Sequence, residues 1–117
     1  MPFDWREYLV VAKELAQDGR ESTSRISNSR AYYCTYHLGR IYALTKGYSE
    51  PAKSAHSALW KWYESQADKN LKALGIQGNR LKMSRVAADY KADPIPRLST
   101  VVQDSLRDAE EFRNKLP

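Results

Sequence analysis

The chain has 117 residues, 42% of them hydrophobic and 28% charged, with a mean hydropathy of −0.70. That length makes one domain, 1–117, with one core, and the balance excludes a disordered chain, a collagen-like chain and a coiled-coil rod. Nineteen Lys and Arg against fourteen Asp and Glu leave a net charge of +5, which makes nucleic acid a candidate partner and is also an ordinary charge for a soluble domain.

Phe3 to Gln17 reads as an amphipathic helix, with Asp4 as a candidate N-cap, Trp5, Tyr8, Leu9 and Ala12 on its apolar face, and Gly19 beyond its end. A polar stretch, residues 17–24, leads into a second helix over Arg25 to Thr45, whose stripe is marked by Ile26, Tyr33, Ile41 and Leu44. Gly47 and Pro51 turn the chain, and a third helix is expected to start near Ala52 and to run until Gly75-Ile76-Gln77-Gly78 breaks it. Asn79 is then a candidate cap for a fourth helix that ends near Tyr90, with Arg80, Lys82 and Arg85 on or beside its polar side. After Asp93-Pro94-Ile95-Pro96, Ser99 or Thr100 opens a last helix that buries Val101/Val102, Leu106, Ala109 and Phe112. No segment alternates with period two for long. The expected fold is therefore all-α, a compact bundle of four to five helices without internal repeats.

No apolar run approaches the roughly 20 residues needed to cross a bilayer. The start Pro2-Phe3-Asp4-Trp5-Arg6 lacks the apolar stretch of a secretory signal, so a cytoplasmic protein without membrane association is expected. Cys34 is the only cysteine, which rules out an intramolecular disulfide and a thiolate zinc cage and fits a reducing compartment. A buried, unreactive thiol is the expectation for it.

Arg30 and His37 are seven residues apart, and at about 100° per residue they fall within about 20° of each other on one helix face, about 10 Å apart along it. Tyr33 lies between them on the same face. An imidazole can take a proton from a ribose 2′-hydroxyl or give one to a leaving 5′-oxygen without a metal, and an Arg fork neutralises phosphate. The pair is too far apart to act on one bond within one helix, unless a second copy folds over the first across a two-fold axis. The same two residues would equally serve as a satisfied polar network inside a bundle, with tyrosine hydroxyls as partners.

The segment Ser29-Arg30-Ala31-Tyr32-Tyr33-Cys34-Thr35-Tyr36-His37 resembles the signature helix of the HEPN domain family, an Arg followed at short spacing by a His, here with six residues between. Ala55-His56-Ser57-Ala58-Leu59 and Ser84-Arg85-Val86-Ala87-Ala88-Asp89-Tyr90 resemble two further segments of a small stand-alone prokaryotic subgroup, in the same order. The resemblance implies a homodimer paired through the second-helix face, with Arg30 and His37 of both copies as catalytic residues of one cleft. It further implies a metal-independent endoribonuclease that needs no cofactor. Such a protein would be a toxin or defence component acting on RNA, often with a nucleotidyltransferase-type antitoxin as partner. The alternative is a non-catalytic module of the same fold that binds nucleotide or that partner, and Ala31, where active members often carry a polar residue, favours it.

Tyr33, His56 and Arg85 are candidate supporting or binding residues. Beside Ser54 and Ser57, His56 reads first as a local hydrogen-bonding residue, and Arg85 with Asp89 as a surface i, i+4 pair. Tyr32, Tyr33, Tyr36, Trp60 and Trp62 are candidate base-stacking groups, with core packing the commoner use of such side chains. Asp104, Asp108 and Glu111 form an acidic ridge interleaved with Arg107, Arg113 and Lys115, which reads as a solvated face rather than a metal site.

Overall fold

From Glu21 to Thr45 the chain contains no proline and only one glycine, so a single helix of 25 residues forms there and becomes the axis of the molecule. The computed structural model describes residues 2–117. Among them the elements are α1 (Glu7–Ala16), α2 (Glu21–Thr45), α3 (Ala55–Glu64), α4 (Lys69–Tyr90) and α5 (Leu98–Lys115), with no strand and 73% of residues helical. α2 packs against each of the other four helices. The radius of gyration of 14.0 Å is close to the about 13 Å expected of a compact chain of this length. No helix among the described residues is long and apolar enough to cross a membrane.

The core centres on Trp60, Tyr32, Tyr63 and Phe112, with Leu9, Leu59, Leu74 and Leu81 around them, all with almost no solvent exposure. Val102, Leu106, Ala109 and Phe112 of α5 are buried as expected, while Val101 is half-buried. Cys34 is buried too, and burial pushes its thiol up to about 11, which removes it as a nucleophile at neutral pH.

α2 departs from the sequence expectation in an informative way. It starts at Glu21, four residues early, and its expected stripe faces outward: Ile26, Ile41 and Leu44 are 46%, 49% and 41% exposed. The face turned inward carries Ser27, Asn28, Ala31, Tyr32, Cys34, Thr35 and Gly39. A central helix with neighbours so close needs small side chains there, and their hydroxyls are satisfied locally. Ser27 donates to the Ala12 carbonyl at 2.6 Å, and Thr35 to that of Ala31 at 3.2 Å. Apolar periodicity alone marks the wrong face because the buried one is built from small and polar residues.

The glycines expected to break the chain lie inside α4 instead. α3 starts at Ala55, after Ser54 in the left-handed region, and ends at Glu64. Asp68, not Asn79, caps α4, its carboxylate accepting the Leu71 N–H at 3.0 Å. Gly75 and Gly78 stand three residues apart on the α4 face that meets α3, and both are there for close approach. A Cβ on Gly78 would come within 2.4 Å of the Trp60 ring, and one on Gly75 within 2.8 Å of the Tyr63 Cβ and 2.9 Å of the Glu64 backbone nitrogen. Gly78→Ala is expected to lower stability by up to about 2 kcal/mol, because an overpacking cost near the top of the usual range of about 1–3 kcal/mol is offset by a helix-propensity gain of only about 1 kcal/mol. The urea midpoint, with an unchanged slope, reads this out.

The acidic ridge also needs correction at one position. Asp108 is buried and accepts from Arg80 Nε at 2.9 Å and Gln77 Nε2 at 3.3 Å, tying α5 to α4. Asp104 pairs with Arg107 in solvent as expected.

Candidate functional site

Arg30, Tyr33 and His37 lie on one outward face of α2, in the same stripe as Ile26, Ile41 and Leu44. Two flanking elements complete the group. On one side the start of the chain brings Trp5 and Tyr8: the Trp5 ring stacks on His37 with centroids 3.5 Å apart, and Arg30 lies over the Tyr8 ring at 5.3 Å. On the other side α3 brings His56 and α4 brings Arg85.

Tyr33 is the point of convergence. Its ring centroid is 5.7 Å from the Arg30 guanidinium and 5.4 Å from that of Arg85, and 6.2 Å and 6.0 Å from the His37 and His56 rings. All five residues singled out in the sequence thus gather on one face, although they come from three helices.

His56 and Arg85 sit there in a different manner from that expected. His56 makes no pair with its serine neighbours. Its Nδ1 lies 2.6 Å from the Tyr32 hydroxyl of α2, and its ring stacks on Tyr36 at 3.9 Å. Arg85 is no surface pair either: its side chain is only 9% exposed, its guanidinium covers the Tyr32, Tyr33 and Tyr90 rings at 5.3–5.7 Å, and its contact with Asp89 is a loose 3.7 Å. The cause is tertiary. α4 lays this stretch across α2, so a position polar by helix periodicity becomes a cation–π position between helices. Asp89 is engaged instead by Ser29, whose hydroxyl donates to it at 3.1 Å.

Tyr32, Tyr36 and Trp60 are core residues, as the commoner use of aromatic side chains suggests, and the face of Tyr33 is held between cations. These rings are therefore engaged within the chain. Among the described residues Arg30 has no acidic partner, whereas Arg40 is held by Glu50 at 2.7 Å and Lys82 donates to the Ser57 hydroxyl at 2.7 Å. Arg30 is a cation without a counter-ion on an exposed face, the condition for taking a phosphate.

Both imidazoles are biased toward the neutral form. Burial first, then the charge of Arg40, holds His37 below the usual imidazole range. Burial, then Arg85, Lys82 and His37, does the same for His56, against an opposing pull from Glu50. A histidine whose folded value is depressed binds fewer protons folded than unfolded, so stability is complete above about pH 6.5 and falls as pH drops below it. The chain has only these two histidines. Between about pH 7 and pH 5 the wild type is expected to lose stability progressively in urea titrations, and a His37→Gln/His56→Gln double variant to show a flatter dependence.

Trp5, Tyr8 and Lys82 complete the site and were not among the residues singled out for it, while Tyr32, read as a candidate base-stacking group, joins it through its hydroxyl instead. Trp5 and Tyr8 read from the sequence as the apolar face of α1. Their spacing of three beside a helix that carries Arg and His is the only signal that placed them, and it needed the α1–α2 pairing to be interpreted. One cavity of the single chain, of about 330 Å³, reaches the edge of this face at Trp5 and Ile41, and the larger ones lie elsewhere. One of about 380 Å³, lined by residues such as Ala16, Gly19, Ser24, Ile95 and Val102, has Glu21 as its one charged side chain. No protein-family model, curated protein or solved structure matches this chain.

Proposed function

We propose that this chain is a metal-independent endoribonuclease of the HEPN type, acting as a homodimer whose two α2 faces meet and bring two copies of Arg30 and His37 to one scissile phosphate. The observation that carries this reading is the gathering of Arg30, His37, His56 and Arg85 around Tyr33 on a face that also exposes Ile26, Ile41 and Leu44. A second copy would cover that apolar stripe and turn an open face into a cleft.

The chemistry follows from the groups present. A neutral His37 removes the proton of a ribose 2′-hydroxyl, and the oxygen attacks the adjacent phosphorus. The 5′-oxygen then leaves with a proton from the second copy's His37 in its imidazolium form, giving a 2′,3′-cyclic phosphate and a 5′-hydroxyl, and the proton taken from the 2′-hydroxyl restores one neutral and one protonated imidazole for the next turnover. The Arg30 side chains neutralise the charge that accumulates on the phosphoryl oxygens. In this reading the protein is the toxin or defence half of a pair, with a nucleotidyltransferase-type antitoxin as its partner. Incubating the purified protein with a labelled structured RNA in EDTA tests it, with cyclic-phosphate termini as the expected product and an unaltered RNA as the contrary result.

A second reading, a non-catalytic module that binds nucleotide or a partner protein through the same face, is favoured by one observation. His37 has no hydrogen-bonded partner to orient it among the described residues and is held only by ring contacts, stacked on Trp5 and edge-on to Tyr36. Saturable nucleotide binding without RNA turnover is the result it expects.

A further inference from the structure

We infer that the start of α3, with His56, Lys82 and Arg85, is a phosphate-binding subsite in which His56 acts through its Nε2–H as a neutral hydrogen-bond donor. This deepens the ribonuclease reading by giving the substrate strand a second phosphate contact, beside the one at Arg30 and His37.

The tautomer follows from a chain of donors. Trp60 Nε1–H can only donate, and it lies 3.2 Å from the Tyr32 hydroxyl oxygen. Tyr32 is fully buried and burial raises its hydroxyl well above the usual range, so it keeps its proton. That proton has one acceptor among the described residues, His56 Nδ1 at 2.6 Å. Were Nδ1 protonated, two N–H groups would converge on one oxygen and the buried hydroxyl hydrogen would have no partner, a cost of about 1–3 kcal/mol. His56 therefore accepts at Nδ1 and carries its proton on Nε2.

The surroundings select an anion. His56 is the second residue of a ten-residue helix whose N-cap, Ser54, makes no side-chain capping bond, so the first N–H groups of α3 lack a side-chain acceptor and the positive end of the helix dipole lies there. Lys82 is anchored at the same turn through Ser57. Independently of the helix end, Arg85 is almost fully buried and its Nε has no hydrogen-bond partner, while its charge faces the Tyr32 ring that holds His56. A buried guanidinium with a free N–H and only a loose carboxylate contact calls for a multi-oxygen acceptor, and a phosphoryl group supplies one. Because the aromatic rings here are packed on one another, the ligand is recognised by its phosphate and not by its base.

The test is a titration of the wild-type protein with inorganic phosphate, followed by long-range ¹H–¹⁵N spectra of the His56 ring and the Arg85 Nε–H, with chloride at equal ionic strength as control. The expected result is a neutral Nε2–H tautomer before titration and saturable shifts of both groups with phosphate only. Lys82→Met should weaken phosphate about 5–10-fold. His56→Gln, which keeps a donor near the Nε2 position, should retain binding that His56→Asn loses. A proton on Nδ1, or an Arg85 signal unmoved at saturating phosphate, overturns the inference without any variant needing to fold. His37→Ala should still show saturable phosphate shifts at His56 and Arg85, so the two proposals fail separately: a protein that binds phosphate and cleaves no RNA loses only the ribonuclease reading, and one that cleaves without these shifts loses only the subsite. A short oligonucleotide that binds at least about tenfold tighter than a mononucleotide assigns the phosphate to a strand. Equal affinities assign it to a free nucleotide.

Discussion

His37→Ala is expected to lower the rate of RNA cleavage in EDTA by about 100- to 10,000-fold, the range over which a positioned general acid or base contributes. Arg30→Ala should cost about 100- to 1,000-fold, as does removal of one group aimed at developing phosphoryl charge. Arg30→Lys should recover little, since an ammonium lacks the planar fork. Neither loss would come from unfolding. Arg30 and His37 are half-exposed and hold no buried hydrogen bond, so helical signal and urea midpoint should stay near those of the wild type. The pH profile adds a readout that a structural role would not move. Because burial and Arg40 hold His37 below the ordinary imidazole range, the acidic limb of kcat/KM should lie below about pH 6.5 and disappear with the imidazole. Full activity in His37→Ala would remove His37 from the chemistry.

What the sequence made legible, and what it hid, divide along a physical line. The Arg30, Tyr33 and His37 face was readable because one helix fixes it: spacing along α2 needs no knowledge of any other element. The helical class and the ends marked by prolines were local in the same sense, and α4 does stop at Tyr90 ahead of Pro94 and Pro96. The buried face of α5 was legible from its periodicity, but several positions that depend on which neighbour lies across a helix were misjudged. Ile26, Ile41 and Leu44 read as core and are exposed, Gly75 and Gly78 read as breaks and are contact points for Tyr63 and Trp60, and Arg85 reads as solvent-facing and is buried. These three errors share one cause. Where helices approach closely, small and polar residues are selected at the contact, and a rule that equates apolar with inside reverses the faces. The tyrosine-rich run from Tyr32 to Tyr36 shows the same limit: Tyr32 and Tyr36 sit inside with hydroxyls aimed at His56 and Glu50, while Tyr33 between them lies at the rim under two cations.

The reversed face of α2 leads to the other large effect. An exposed helix stripe of Ile26, Ile41 and Leu44 around an Arg and a His costs solubility unless something covers it, and a second copy related by a two-fold axis would bury it against itself. Ile41→Glu and Leu44→Glu together are expected to give a folded monomer. In the single chain these side chains already face water, so thermal stability at low protein concentration should change by only about 0.5 kcal/mol. Across a two-fold axis the four added carboxylates would face one another in a desolvated interface, at a cost of several kcal/mol and a rise in the dimer dissociation constant of at least about 100-fold. Sedimentation equilibrium over a range of concentrations measures this. Cleavage should fall in proportion to the dimer lost, even though Arg30 and His37 are intact, and should recover as concentration is raised. That recovery separates a site shared between two copies from one complete in each: a monomeric variant that cleaves at the wild-type rate would place the whole catalytic apparatus within a single chain.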